Sequence, residues 1–142
     1  MARHGKPDKT GRSSGKTAGK KMREWSYPPQ GASWVWLTRD LLESDAWRTR
    51  GIHCARLIDF LLLDHMSSGG QENGNLKATY DQLVAFGITR KKIRDAIRES
   101  EERGLVHVEH GGRWNMTNRP SIFRLTFYAD RSGAPATNYL KR

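Results

Sequence analysis

Between Thr79 and Val108 the residues spell two short helices, the tight turn between them, and the start of a strand. Thr79 followed by Gln82 is a capping-box pattern and predicts a helix from Tyr80 to Phe86. Gly87 suits the left-handed position just past the end of such a helix. Thr89 offers a cap for the next helix, which runs to about Arg103 and is stopped by Gly104. Ile93, Ala96, Ile97 and Ser100 fall on one side of it and predict its inner face. Leu105, Val106 and Val108 then open a strand. The same helix carries Arg90, Lys91, Lys92, Arg94 and Arg98, so its charge and its apolar residues are segregated.

The flanks are less constrained. Residues 1–22 are Gly, Lys, Ser and Thr with almost nothing to bury, and this stretch is expected to be disordered in isolation. The 1–24 arm holds eight Lys and Arg against Asp8 and Glu24, and so supplies six of the ten excess positive charges of the 142-residue chain. That asymmetry suits contact with a polyanion. Residues 25–50 read as an extension. Pro28-Pro29 forces extended backbone, Trp34 to Leu37 is a short apolar run, and Thr38 caps a helix over 39–43 with a second turn near 44–47. A longer helix follows, from Thr49 or Gly51 to Met66, its buried face predicted to be Ala55, Ile58, Leu61, Leu62 and Met66. Residues 67–75 are a Gly- and Asn-rich loop, and 76–78 leave room for a brief strand. After a Gly111-Gly112 turn and a loop to Ser121, a return strand is expected from Ile122 to Tyr128. In it Ile122, Arg124, Thr126 and Tyr128 lie on one side and Phe123, Leu125 and Phe127 on the other. From Asp130 to 142 the residues read as a loose tail.

Helix, brief strand, helix, helix, strand, wing, strand is the order of a winged helix-turn-helix domain, an α+β and mainly helical fold with a three-helix core and a β-wing, assigned here to 51–129. The most specific text is Gly87-Ile88-Thr89-Arg90-Lys91-Lys92-Ile93-Arg94-Asp95-Ala96-Ile97-Arg98-Glu99, then Arg103-Gly104-Leu105-Val106. It is similar to the DNA-binding half of GntR-type bacterial regulators, where a small hydroxyl residue and Arg open the recognition helix and Gly-Leu-Val leads into the wing. Ser100, where that family usually has Leu, and the long wing are departures. Ser44-Asp45-Ala46-Trp47-Arg48, Asn73-Gly74-Asn75-Leu76, Ala78-Thr79-Tyr80-Asp81-Gln82-Leu83 and Phe123-Arg124-Leu125-Thr126 resemble a group of small, mostly uncharacterised alphaproteobacterial winged-helix proteins.

A helix that gathers cations at its N-terminal end after a Gly-containing turn has the layout of a recognition helix in a DNA groove. Helical rotation places Arg90, Lys91, Arg94 and Arg98 on the outer surface and Lys92 toward its edge. Arg90 and Arg94 are the candidates for reading guanine by paired hydrogen bonds. Lys91 and Lys92 are candidates for phosphate, and Thr89 for both cap and backbone contact. Arg113 and Arg119 in the wing suit a minor groove, and Trp114 either packs on sugars or closes a small cluster under the loop. Lys77 and Gln82 are further phosphate candidates. The competing reading is a solvated charged face neutralised by Asp95, Glu99, Glu101 and Glu102.

Several other chemistries are excluded or disfavoured. Gly11 to Thr17 ends in Gly-Lys-Thr, but only three residues separate its glycines where a phosphate loop needs four. Cys54 is the only cysteine, so no internal disulfide forms and a reducing compartment is the default. His107 and His110 do not share a face on a strand, and His53 and His65 read as edge-of-core residues. Asp40, Glu43 and Asp45 have no positioned nucleophile beside them. No catalytic constellation and no cofactor is expected. The longest apolar runs, such as Trp34 to Leu37 and Phe60 to Leu63, are far too short to span a membrane.

The expected function is therefore that of a non-enzymatic, sequence-specific double-stranded DNA-binding protein, a bacterial transcription regulator in the cytoplasm or nucleoid. A homodimer would read two half-sites about 34 Å apart. Trp34, Trp36, Leu41, Leu42 and Trp47 are its candidate contact, on residue count alone. The alternatives are an architectural factor in replication initiation or excision of a mobile element, a winged helix that docks on another protein, and an RNA-binding protein, the last without an aromatic ribonucleoprotein signature.

Overall fold

A computed structural model describes residues 26–114, 117–135 and Tyr139. The basic arm expected over 1–24 lies outside the described residues. The chain divides into two compact units at Ala32 and Ser33. In the described part of the first, Ala32 N–H closes a turn onto the Pro29 carbonyl at 3.0 Å. Everything below concerns the second unit, which is α+β and mainly helical.

Its elements are α1 (Arg39–Glu43), α2 (Asp45–Arg48), α3 (Ile52–Ser67), β1 (Leu76–Lys77), α4 (Tyr80–Ala85), α5 (Arg90–Glu102), β2 (Val106–Glu109), β3 (Arg113–Trp114), β4 (Thr117–Asn118) and β5 (Ile122–Leu125). An antiparallel sheet runs in the order β1-β5-β2, and β3 pairs with β4 as a separate hairpin between β2 and β5. Caps set the short helices. Thr38 Oγ1 accepts from Leu41 N–H at 3.2 Å. Ser44 ends α1 and starts α2, donating to the Leu41 carbonyl at 2.6 Å and accepting from Trp47 N–H at 3.3 Å. The Thr79–Gln82 capping box of α4 is present in full.

The long helix is buried over a wider and slightly rotated face than its apolar spacing predicts. Cys54, Leu57, Ile58, Leu61, Leu62 and His65 are buried, while Ala55 and Met66 are only half-buried. The cause is packing from more than one direction, because α3 meets α5 as well as β1. At its C-terminal end the imidazole of His65 lies flat on the Tyr128 ring, 4.9 Å between centroids and 7° between planes, and so takes the inner position expected of Met66. Tyr128 donates its hydroxyl to the Trp36 carbonyl at 2.6 Å and meets the Trp36 indole edge-on. Leu41 is fully buried, and Trp47 packs edge-on to Phe127 with the Arg50 guanidinium 3.8 Å from its ring centroid. These two residues, counted toward a dimer contact, serve the chain's own core. Trp34, Trp36 and Leu42 stay exposed.

The return strand is shorter than its alternation predicts. It ends at Leu125, and beyond it Thr126, Phe127 and Tyr128 are all buried, on what would have been opposite faces. Asn73 explains the stop. Its side-chain amide donates to the carbonyls of Leu125, Tyr128 and Ala129 at 2.9, 3.2 and 3.1 Å and accepts from Leu125 N–H at 2.8 Å. A buried amide that satisfies four partners replaces the ladder the strand would otherwise continue. Thr126 closes the same corner, its hydroxyl bonded to the Gly104 and Leu105 carbonyls.

The stretch read as a loose tail is tied down at its described residues. Asp130 pairs with Arg124 at 2.8 Å and folds a turn over Ser132 and Gly133. Tyr139 is buried against Phe127. Polar composition concealed the single aromatic anchor. Among the described residues no helix is long and apolar enough to cross a membrane.

Two measurements check this core. Asn73→Ala strands several buried carbonyls and is expected to cost about 2–3 kcal/mol in denaturant unfolding, with the loss of near-ultraviolet signal from Tyr128. Burial holds the His65 pKa below its ordinary 6.5, opposed in part by Asp64. The unfolded chain therefore binds the proton more readily, and stability falls as pH drops through 6.5. His65→Gln is expected to flatten that part of the pH–stability curve.

Candidate nucleic-acid interface

The cation-bearing helix is α5, and its aim follows from its other side. Ile88, just before it, and Ile93, Ala96, Ile97 and Ser100 within it are buried. Ser100 leaves no unpaired hydroxyl: it donates to the Ile97 carbonyl at 2.7 Å. The turn from α4 is fixed by Gly87 at φ 109°, where a Cβ is strained. Arg56 of α3 braces the same turn by donating to the Gly87 carbonyl at 2.6 Å. At the far end Arg103 is bonded to Glu99 at 2.8 Å, to Thr49 Oγ1 at 2.7 Å and to the Thr49 carbonyl at 2.8 Å. Both ends of α5 are thereby fastened to α3 or its approach.

Arg90, Lys91, Lys92, Arg94 and Arg98 are all exposed. They are not electrostatically equivalent. Arg90 is ion-paired to Asp81 of α4. Arg98 bonds Asp95 at 3.0 Å, with Glu102 3.9 Å away, both on its own helix. Lys91, Lys92 and Arg94 have no carboxylate partner among the described residues. The competing reading of a neutralised face therefore holds at Arg98, through Asp95 and Glu102, and Arg90 is neutralised by Asp81, a residue outside that reading. Their pairs are largely solvent-exposed, and such pairs are worth only about 0.2–1 kcal/mol. Thr89 occupies the N-cap, but its side chain makes no capping bond; its carbonyl accepts from Lys92 N–H at 2.7 Å instead. The residue is exposed.

The remaining candidates fall in two places. Gln82 spends its side-chain oxygen on the capping box, accepting from Thr79 N–H at 3.0 Å. Lys77 is exposed on β1 and, with Arg119, His110 and Glu109, lines a half-open cleft of about 590 Å³ at the base of the hairpin. A second cleft of about 460 Å³ lies between α5 and the hairpin base, lined by Tyr80, Arg94, Arg98, Glu101 and His110. His110 and Gly111 wall both clefts, and His110 Nε2 is 3.0 Å from Glu101 Oε2, which ties the hairpin base to α5. Arg113 pairs through its backbone with Asn118; its side chain and that of Trp114 lie outside the described residues.

The surface so formed presents guanidinium and ammonium groups from α5, β1 and the hairpin base, with Asp81, Glu101, Glu109 and His110 among them. Among the described residues no group of His, Cys, Asp and Glu is placed to hold a metal ion. Cys54 is fully buried, and burial pushes its thiol up to about 12, so it stays protonated. Residue spacing gave no sign of the Arg90–Asp81 pair or of the His110–Glu101 tie. Each joins residues nine apart across a turn, a separation that carries no periodic signature. The chain matches no family model, and no curated protein or solved structure shows significant similarity to it.

Gly111 sets how the hairpin leaves β2. A Cβ there would overlap the Arg119 carbonyl oxygen and sit 2.6 Å from the Pro120 carbonyl carbon. Gly111→Ala is expected to shift the hairpin and to speed amide exchange at Gly111 and Arg119, whose N–H groups bond Ser121 Oγ and the Gly112 carbonyl. Exchange in α3 should stay slow; equal loss of protection there would place Gly111 in the core instead.

Proposed function

We propose that this chain is a sequence-specific double-stranded DNA-binding protein built on a winged helix-turn-helix, with α4 and α5 as the helix-turn-helix and the β3–β4 hairpin as the wing, and that it acts as a bacterial transcription regulator. The observation that carries the reading is the pairing of opposite faces on α5. One side is locked in the core by Ile93, Ala96 and Ile97, and the other offers Lys91, Lys92 and Arg94 without a carboxylate partner among the described residues. A helix held rigidly by one face projects its other face at a fixed angle, which base readout requires and a diffuse charged surface does not supply.

In this reading Arg94 and Arg90 meet base edges, while Lys91, Lys92 and the Thr89 hydroxyl meet phosphate. Lys77 and Arg119 at the hairpin base contact the flanking backbone, and the basic stretch before Trp25 adds salt-dependent affinity for any duplex.

Selection from random duplex DNA tests the proposal. Wild-type protein is expected to enrich a defined site. Arg94→Ala should lower the preference for that site over random duplex by about 5- to 150-fold, the worth of one paired base contact. Removal of residues 1–22 should weaken binding to every duplex alike and reduce the steepness of its salt dependence. Failure to enrich any duplex would overturn the proposal.

A further inference from the structure

Arg90 differs from every other cation on the outer face of α5 in the origin of its partner. The carboxylates beside Arg98 lie one turn away on the same helix, as in any exposed helical pair. The partner of Arg90 is Asp81, on α4, reached across the turn. The bond is made from Nη2 of the guanidinium to Asp81 Oδ1. A guanidinium has two edges that offer parallel donors, one formed by the two terminal nitrogens and one by Nε with Nη2. A carboxylate bonded through Nη2 alone uses one of that nitrogen's two hydrogens, so one of the two edges keeps both of its donors. The first residue of a helix is otherwise free to sweep its long side chain over a wide arc, at a cost in rotamer entropy when it is finally fixed on a base. Asp81 is 87% exposed at its side chain, so no burial requires a charge there. A carboxylate at a surface meant for phosphate also lowers general affinity.

We propose that Asp81 is a positioning residue for base readout: it holds Arg90 so that one donor edge is presented to a guanine, and it trades general affinity for discrimination. This rests on the DNA-binding reading above. The prediction is asymmetric. Removal of the Asp81 charge tightens binding to random duplex, because a repulsive charge is lost. It loosens discrimination at the one guanine that Arg90 meets, because the guanidinium is no longer held.

The test uses the full chain and the duplex enriched by selection, with 7-deazaguanine, which lacks the N7 acceptor, placed at each guanine in turn. Wild-type protein should lose about tenfold in affinity at one position through Arg90. Arg90→Ala should bind the two duplexes alike at that position. Asp81→Asn should lose up to about fivefold of that difference, the most an exposed pair supplies, while binding random duplex more tightly; Asp81→Glu should restore part of it, and the Asp81→Asn/Arg90→Ala pair should match Arg90→Ala alone in discrimination at that guanine. Thermal melts of each variant exclude a folding defect. If Asp81→Asn keeps the full tenfold difference while Arg90→Ala abolishes it, Arg90 reads the base unaided and the inference is overturned with the DNA-binding reading intact. If no guanine responds to Arg90→Ala, Asp81 has nothing to position and the inference falls by itself. If wild-type protein enriches no duplex, both fall together.

Discussion

Burial of Ile93, Ala96 and Ile97 removes the freedom of α5 to rotate about its own axis. Each of these side chains withdraws apolar surface from water, on the order of 1.5–3 kcal/mol for a fully buried isoleucine. Turning the helix by one residue would bring Arg94 and Arg98 into the places of Ile93 and Ile97. The core thereby specifies a direction for every cation on the far side. Gly87 and Arg56 hold the entry to the helix, and Arg103 holds its exit. The electrostatics of the surface are then a matter of which cations find carboxylates, and the answer divides them: Arg90 is held across the turn, Arg98 within its own helix, while Lys91, Lys92 and Arg94 have no such partner among the described residues.

A second support works through polar groups. Asn73 sits in a glycine-rich loop and is buried, its amide oxygen bonded to Leu125 at the end of β5 and its amide nitrogen to Leu125 and to the segment beyond. The loop therefore does not merely connect α3 to β1; it fixes where the sheet ends and lets Phe127 and Tyr128 turn into the core. Tyr128 carries that order onward to His65 on one side and Trp36 on the other. Burial pushes its phenol up to about 12, so the hydroxyl keeps the proton that it donates to the Trp36 carbonyl.

The elements from α4 to β2 were legible in the residues because each announces itself locally: Thr79 and Gln82 as a reciprocal cap, Gly87 and Gly104 as stops, Ile93, Ala96 and Ile97 as a period of 3.6. What the residues concealed depends on partners distant in the chain. His65 is inside because a tyrosine 63 residues later lays its ring against it. Leu41 is inside although the short helix around it has few apolar neighbours of its own. Tyr139 anchors a stretch whose composition is that of a tail. At the candidate interface, the outward direction of the cations followed from helical rotation, but the Arg90–Asp81 and His110–Glu101 pairs did not, because a turn and a strand intervene. Thr89 shows the opposite failure: its type and extended backbone fit a cap, yet its side chain makes no capping bond.

The hairpin base holds a demand of an unusual sort. Most glycines in this chain that resist replacement do so because of a left-handed backbone, and at such places asparagine or aspartate is an ordinary substitute. Gly111 is different: what it needs is vacant volume beside Arg119 and Pro120, and no L-residue other than glycine offers that. Every single-base missense change in a glycine codon adds at least one carbon at this spot. Drift at position 111 is accordingly tolerated only in concert with a rerouted Arg119–Pro120 backbone, so the two strands leaving the sheet here must vary together or not at all.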